Sequence, residues 1–202
     1  YDNVIINCMD DVVEIDGFAR NVRVFNNYMR GSLTGVSLAQ ALDGPTFVLY
    51  NVIADCGVCP ATTREGNWGY PFKTNGGPQW KIGSGPIFLY HNTAYTSDPD
   101  SRAMLVKRPN WKKITFRNNI WIGQKHGFQC WKSPPSPIDF DYDNLYVVDE
   151  SSPLVVLNYK TKHQTLDDVR SARGWLKHGI SPDPMLTDPD AGIYTLGDAS
   201  AC

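Results

Sequence analysis

The chain has 202 residues and a formal net charge of −2, with 42% hydrophobic and 20% charged residues. That composition belongs to a folded chain and excludes an intrinsically disordered one. A pI near 6.1 argues against a nucleic-acid binder, and no apolar run approaches the length of a membrane span.

The first residues, Tyr1-Asp2-Asn3-Val4, already lie inside patterned sequence. The chain therefore reads as a mature or cut product, and its start carries no information about compartment. Asn3-Val4-Ile5-Ile6-Asn7-Cys8 opens a repeat that continues as Asn21-Val22-Arg23-Val24-Phe25-Asn26-Asn27 and Thr46-Phe47-Val48-Leu49-Tyr50-Asn51-Val52. Further copies are Pro86-Ile87-Phe88-Leu89-Tyr90-His91-Asn92, Lys113-Ile114-Thr115-Phe116-Arg117-Asn118-Asn119 and Asp139-Phe140-Asp141-Tyr142-Asp143-Asn144. Apolar and variable positions alternate within each copy, which predicts a strand with one buried face. An Asn or His then follows, which suits a bend, since Asn tolerates the left-handed backbone and hydrogen-bonds locally.

A second series interleaves with the first: Val13, Val36, Phe72, Leu105, Phe128 and Val155. A third follows each bend at Ile53, Ala94, Ile120 and Leu145. Three short strands per coil, about six times over, predict a parallel β-helix whose stacked coils bury a core that no single coil could bury. The predicted fold class is all-β: a right-handed single-stranded parallel β-helix over residues 1–160, with an insertion at about 55–83. Residues 161–202 are read as a helix and irregular capping tail of the same domain. Within them Thr165 is the N-cap, Asp167 and Asp168 fill the first turn, and Gly174 ends the helix. Hairpins of an antiparallel sandwich would need Asn-Gly or Asp-Gly turns between the copies, and these are sparse. Cys56 and Cys59 are read as a loop disulfide or as unpaired thiols rather than as a redox or zinc motif.

The Asn-rich copies, such as Phe116-Arg117-Asn118-Asn119-Ile120, resemble the rungs of bacterial secreted right-handed β-helix proteins of the pectate-lyase-like superfamily. The tail carries the same resemblance in Ser181-Pro182-Asp183-Pro184-Met185-Leu186-Thr187-Asp188-Pro189 followed by Gly192-Ile193-Tyr194-Thr195-Leu196. The resemblance implies a secreted or periplasmic protein with a long groove on one sheet that holds a polysaccharide. It does not fix the reaction, because the fold hosts lyases, hydrolases and non-enzymatic spikes. An uncovered coil at Tyr1 also implies a preceding portion, or another chain, stacked on that end.

On the second series, alternation points Val13 and Ile15 inward and Glu14 outward, followed by Ser37 and Lys73, with Arg102 or Lys107 continuing the row. β-Elimination on a uronic-acid glycan needs a base beside the carboxylate and positive charge for the enolate-like intermediate. Lys73 is the expected base, Arg64 or Arg102 neutralises the substrate carboxylate, and Glu14 completes the catalytic set. Asp10, Asp11 and Asp16, with Glu14, are the expected holders of a Ca²⁺ ion. Ser37, Trp68, Tyr70, Trp80 and Lys107 are the expected sugar contacts. The alternatives are a glycoside hydrolase using Asp10 or Asp11 with Glu14, and a non-catalytic carbohydrate-binding or structural β-helix. Polygalacturonase chemistry fits poorly, since Ser32-Leu33-Thr34-Gly35 stands where those enzymes carry Gly-His-Gly.

Overall fold

The computed structural model describes residues 1–39, 41–57, 69–75, 85–108, 113–132 and 138–202. The first strands are β1 (Val4–Ile6), β2 (Asp11–Glu14), β3 (Val22–Phe25), β4 (Tyr28–Arg30), β5 (Thr34–Ser37), β6 (Thr46–Leu49) and β7 (Val52–Ala54). The middle coils add β8 (Tyr70–Asn75), β9 (Ile87–Tyr90), β10 (Thr93–Tyr95), β11 (Arg102–Arg108), β12 (Ile114–Arg117), β13 (Ile120–Gly123) and β14 (His126–Cys130). The chain closes with β15 (Ile138–Phe140), β16 (Asn144–Val147), β17 (Val155–Leu157), β18 (Thr161–His163), helix α1 (Leu166–Arg173), β19 (Leu186–Asp188) and β20 (Ile193–Leu196).

These strands stack as three sheets. Sheet I is β2-β5-β8-β11-β14-β17-β18, sheet II is β3-β6-β9-β12-β15, and sheet III is β1-β4-β7-β10-β13-β16. Every pair from β1 to β17 is parallel, and only β17–β18 and β19–β20 are antiparallel. The chain is thus a parallel β-solenoid of about five turns, close to the six coils read from the repeat.

Each sheet sends one registered row inward. Sheet I contributes Val13, Val36, Phe72, Met104, Phe128 and Val155. Sheet II contributes Val24, Val48, Leu89, Phe116 and Phe140, and sheet III contributes Met29, Ile53, Ala94, Trp121 and Leu145. Trp121 joins the rows, edge-on to Phe72 (5.3 Å) and to Phe116 (5.8 Å). Burying side chains of this size contributes roughly 1.5–3 kcal/mol each, which no isolated coil could gather.

Two expected inward positions are displaced by one residue. Met104, not Leu105, lies in register with Phe72, and Trp121, not Ile120, with Ala94. In β11 the cause is that Ala103, Met104, Leu105 and Val106 are all buried, so hydrophobicity alone cannot tell the two faces apart. The rows of sheet II slip likewise: Val22 pairs with Thr46 rather than Phe47, because an inward Thr breaks the apolar pattern.

The bends between sheets II and III form a ladder. The amide oxygen of Asn27 accepts from the backbone N–H and side-chain amide of Asn3 (3.2 and 3.0 Å). Asn51 does the same for Asn27, Asn92 for Asn51, and Asn119 for Asn92. Asp143 ends the series, accepting from Asn119 at 2.8 and 2.6 Å. The left-handed residue is the one before each ladder position: Asn26, Tyr50, His91, Asn118 and Tyr142 all have φ between 55° and 63°. His91 is therefore the turn residue expected, while the ladder Asn bonds to the next coil rather than locally.

The helix is capped as expected, while the tail expected to be irregular carries the antiparallel β19–β20 pair, and β18 joins sheet I. Thr165 accepts from the Asp168 N–H, the Asp168 carboxylate returns the bond to the Thr165 N–H, and Gly174 closes α1 at φ 67°. Val169, Trp175 and Leu176 are buried against the last coil, with Trp175 on Phe128 and Phe140. The β19–β20 tail is fixed to sheet III by Tyr194, whose hydroxyl donates to Asp55 Oδ2 (3.1 Å), the same oxygen that Arg30 Nε holds at 2.8 Å.

Candidate functional site

Period-two alternation places Phe72 inside the solenoid and Lys73 outside, on sheet I. Glu14, Ser37 and Lys73 are in register as expected, and the row continues through Leu105 and Gln129. Arg102 does not join it. It starts β11 in register with His126, three residues before the row position Leu105. Lys107 falls where the β11 register shifts against β8, between Val106 and Arg108, so alternation does not set its face; its charge is coupled to those of Lys73 and Asp11.

Lys73 Nζ sits 2.5 Å from Asp11 Oδ2. The Lys73 side chain is 20% exposed and that of Asp11 only 1%. The second oxygen, Asp11 Oδ1, is buried with no hydrogen-bond partner among the described residues. Around this pair stand further charges. The exposed Glu14 carboxyl is held above its ordinary range by Asp16 and then by Asp11, with Lys73 opposing. Asp16 is raised by burial first, again against Lys73. Lys107 is lowered by burial and then by repulsion from Lys73. Lys73 is thus the charge that every other group of the cluster senses.

An aromatic wall flanks Lys107. Its ammonium lies 5.5 Å from the Trp131 ring centroid, and Trp131 stacks on the exposed Tyr159 at 5.6 Å. Sequence reasoning missed both rings. Counting outward positions from Phe128 would have reached Trp131, whereas Tyr159 sits beyond β17 in a left-handed turn that no periodicity marks.

Several expected contacts are placed elsewhere. Ser37 lies in the row but is only 1% exposed, and Tyr70 at the start of β8 is 3% exposed, so neither offers a sugar a surface. Arg64, Trp68 and Trp80, like Cys59, lie outside the described residues. Cys56 is a free, buried thiol pushed up to about 12 by burial. His126 is pushed down to about 4 by burial and by Arg102, and its Nδ1 faces the Pro153 carbonyl at 3.2 Å.

The calcium expectation finds no gathered ligand set among the described residues. Asp10, Asp11, Glu14 and Asp16 are all described, yet no group of three or more His, Cys, Asp or Glu side chains is gathered to hold a metal. The Lys73 ammonium occupies Asp11 Oδ2 and leaves Oδ1 unpartnered among the described residues.

No family model, no curated protein and no solved structure matches the chain.

Proposed function

We propose that the outer face of sheet I is the substrate groove of a polysaccharide lyase that cleaves uronic-acid glycans by β-elimination. The reading takes the chain as a secreted β-helix of the pectate-lyase-like kind. The observation that carries it is the gathering around Lys73, itself paired to Asp11, of the charges of Glu14, Asp16 and Lys107. A negatively charged uronate needs a cation fixed in place, and Asp11 fixes Lys73.

The roles follow from the environments. Burial and Lys73 disfavour the charged form of Lys107, so its amine takes the proton beside the substrate carboxylate, a role the sequence suggested for Lys73. Lys73 neutralises that carboxylate and the enolate-like anion formed from it. The electron pair then expels the glycosidic oxygen on the β carbon. Glu14, which two neighbouring carboxylates keep protonated to higher pH, gives that oxygen its proton. The products are an unsaturated uronide and a fragment with a new reducing end.

The test is turnover of polygalacturonate and alginate, with and without calcium, followed by ultraviolet absorbance of the unsaturated product. Lys107→Met keeps the apolar stem over Trp131 and is expected to lower kcat by about 10²–10⁴-fold with an unchanged circular dichroism spectrum. In the unaltered protein turnover needs Lys107 neutral and Glu14 protonated, so the pH–rate profile should be a bell with its acid limb above 4.5 and its alkaline limb below 10.5, the ordinary glutamate and lysine values. Reducing ends without absorbance would establish a hydrolase instead. Binding without any product would establish a non-catalytic module.

A further inference from the structure

The left-handed residues of the sheet II to sheet III bends form a column on the outside of the solenoid. Their φ angles are 55° at Tyr50, 56° at His91, 55° at Asn118 and 63° at Tyr142. Equal backbone geometry sends these side chains out in one direction, each a rung above the last. Tyr50 and His91 stack with centroids 4.7 Å apart and planes 2° apart. Tyr142 stacks in the same way on His178, at 4.7 Å and 12°.

Asn118 interrupts the column. It is short and exposed, and it leaves the place of one ring open between His91 and Tyr142. Two rungs separate those residues, about 9–10 Å at the usual strand spacing. A cavity of about 390 Å³ opens there, at the small end of ligand pockets.

Its polar groups are set rather than adaptable. Asn144 lines the cavity and is 4% exposed; its Nδ2 donates to the Pro182 carbonyl at 3.0 Å, which fixes the amide orientation. Its Oδ1 is then a buried acceptor with no donor among the described residues. His178 also lines the cavity, and its Nδ1 is engaged by Asp141 Oδ2 at 2.8 Å, leaving Nε2 as its uncommitted nitrogen. The Arg117 guanidinium lies over the Tyr142 ring, 5.8 Å from its centroid, and is ion-paired to Asp139.

From this geometry we infer that the slot between His91 and Tyr142 binds one neutral pyranose ring of a glycan, separately from the charged face of sheet I. A puckered sugar ring is thicker than an aromatic one and suits a gap that keeps 4.7 Å spacing on each side. Its C–H faces meet the rings, and a hydroxyl supplies the donor that Asn144 Oδ1 lacks. The Asp141 carboxylate and the orphan acceptor disfavour a uronate.

The probe is galactose, titrated into the isotope-labelled chain while the ring signals of His91, Tyr142 and His178 are followed by NMR. Saturable shifts at these rings are expected, with galacturonate at least tenfold weaker. Asn118→Tyr fills the slot with a ring in a conformation that Tyr50 and Tyr142 already adopt, and it should abolish the shifts. His91→Ala, on an exposed side chain, should weaken binding at least tenfold and serves where the tyrosine variant does not fold. Lys107→Met, expected to abolish most turnover, should leave these galactose shifts intact, which separates this site from the lyase reading. Absent shifts in the unaltered chain, equal shifts from galacturonate, or undiminished binding in the variants would each overturn the inference.

Discussion

Asn92→Ala is expected to destabilise the fold by about 3–5 kcal/mol, equivalent to roughly 10 °C in Tm for a chain of this size. Asn92 is 1% exposed and all its polar atoms are committed. Its Oδ1 accepts from the Asn51 N–H (3.1 Å) and Nδ2 (3.0 Å), and its Nδ2 donates to Asn119 Oδ1 and to the Val48 carbonyl, both at 2.9 Å. Alanine removes the partners of buried donors and acceptors on two neighbouring coils, with no water to replace them. Asn3→Ala at the exposed start of the ladder breaks comparable bonds where solvent can substitute, and should cost under about 1 kcal/mol. Urea unfolding of the two variants checks this, and equal losses would show that the ladder is not a stabilising interior element.

The repeat itself was legible because a solenoid rung has a short motif: alternating residues of sheet II, a left-handed residue, then the ladder Asn. What hydrophobicity could not set was register. Thr46 points inward with a polar side chain, and Leu105 is buried on the outer face of sheet I, so each shifts an apolar count by one. The candidate site was half legible for a related reason. Period-two alternation correctly aligned Glu14, Ser37 and Lys73 across three coils. The Lys73–Asp11 pair joins residues 62 apart in the chain, and Asp11 opens its strand at a corner, where alternation gives no direction. In the proposed lyase that pairing moves the base role from Lys73 to Lys107, a change that rests on burial and neighbouring charge rather than on residue type.

Asp143→Asn is expected to stabilise the protein by roughly 2–4 kcal/mol at pH 8 and by almost nothing at pH 4. Asp143 holds the position that Asn27, Asn51, Asn92 and Asn119 hold in earlier coils, and its Oδ1 accepts from Asn119 and from Trp121 Nε1 (3.2 Å). The Nδ2 groups of Asn51, Asn92 and Asn119 donate to a carbonyl of sheet II one coil back: Val24, Val48 and Leu89 respectively. Strand register makes Phe116 the counterpart for residue 143. A carboxylate offers that carbonyl no proton, and Asp143 Oδ2 is buried without a partner among the described residues. Burial therefore pushes the Asp143 carboxyl up from 3.8 to about 7, against the lowering by its Asn119 and Trp121 bonds. The folded chain holds a proton that the unfolded chain has released, so stability present below about pH 4 is lost progressively up to about pH 7. An Asn at 143 donates to Phe116 at every pH and removes that loss. His126, pushed down to about 4, acts in the opposite direction over part of the window but is common to both proteins, so the difference between them isolates Asp143. Denaturant midpoints from pH 4 to 8 decide the matter: a constant offset, or no gain at pH 8, would show that Asp143 is charged and satisfied at the end of the ladder.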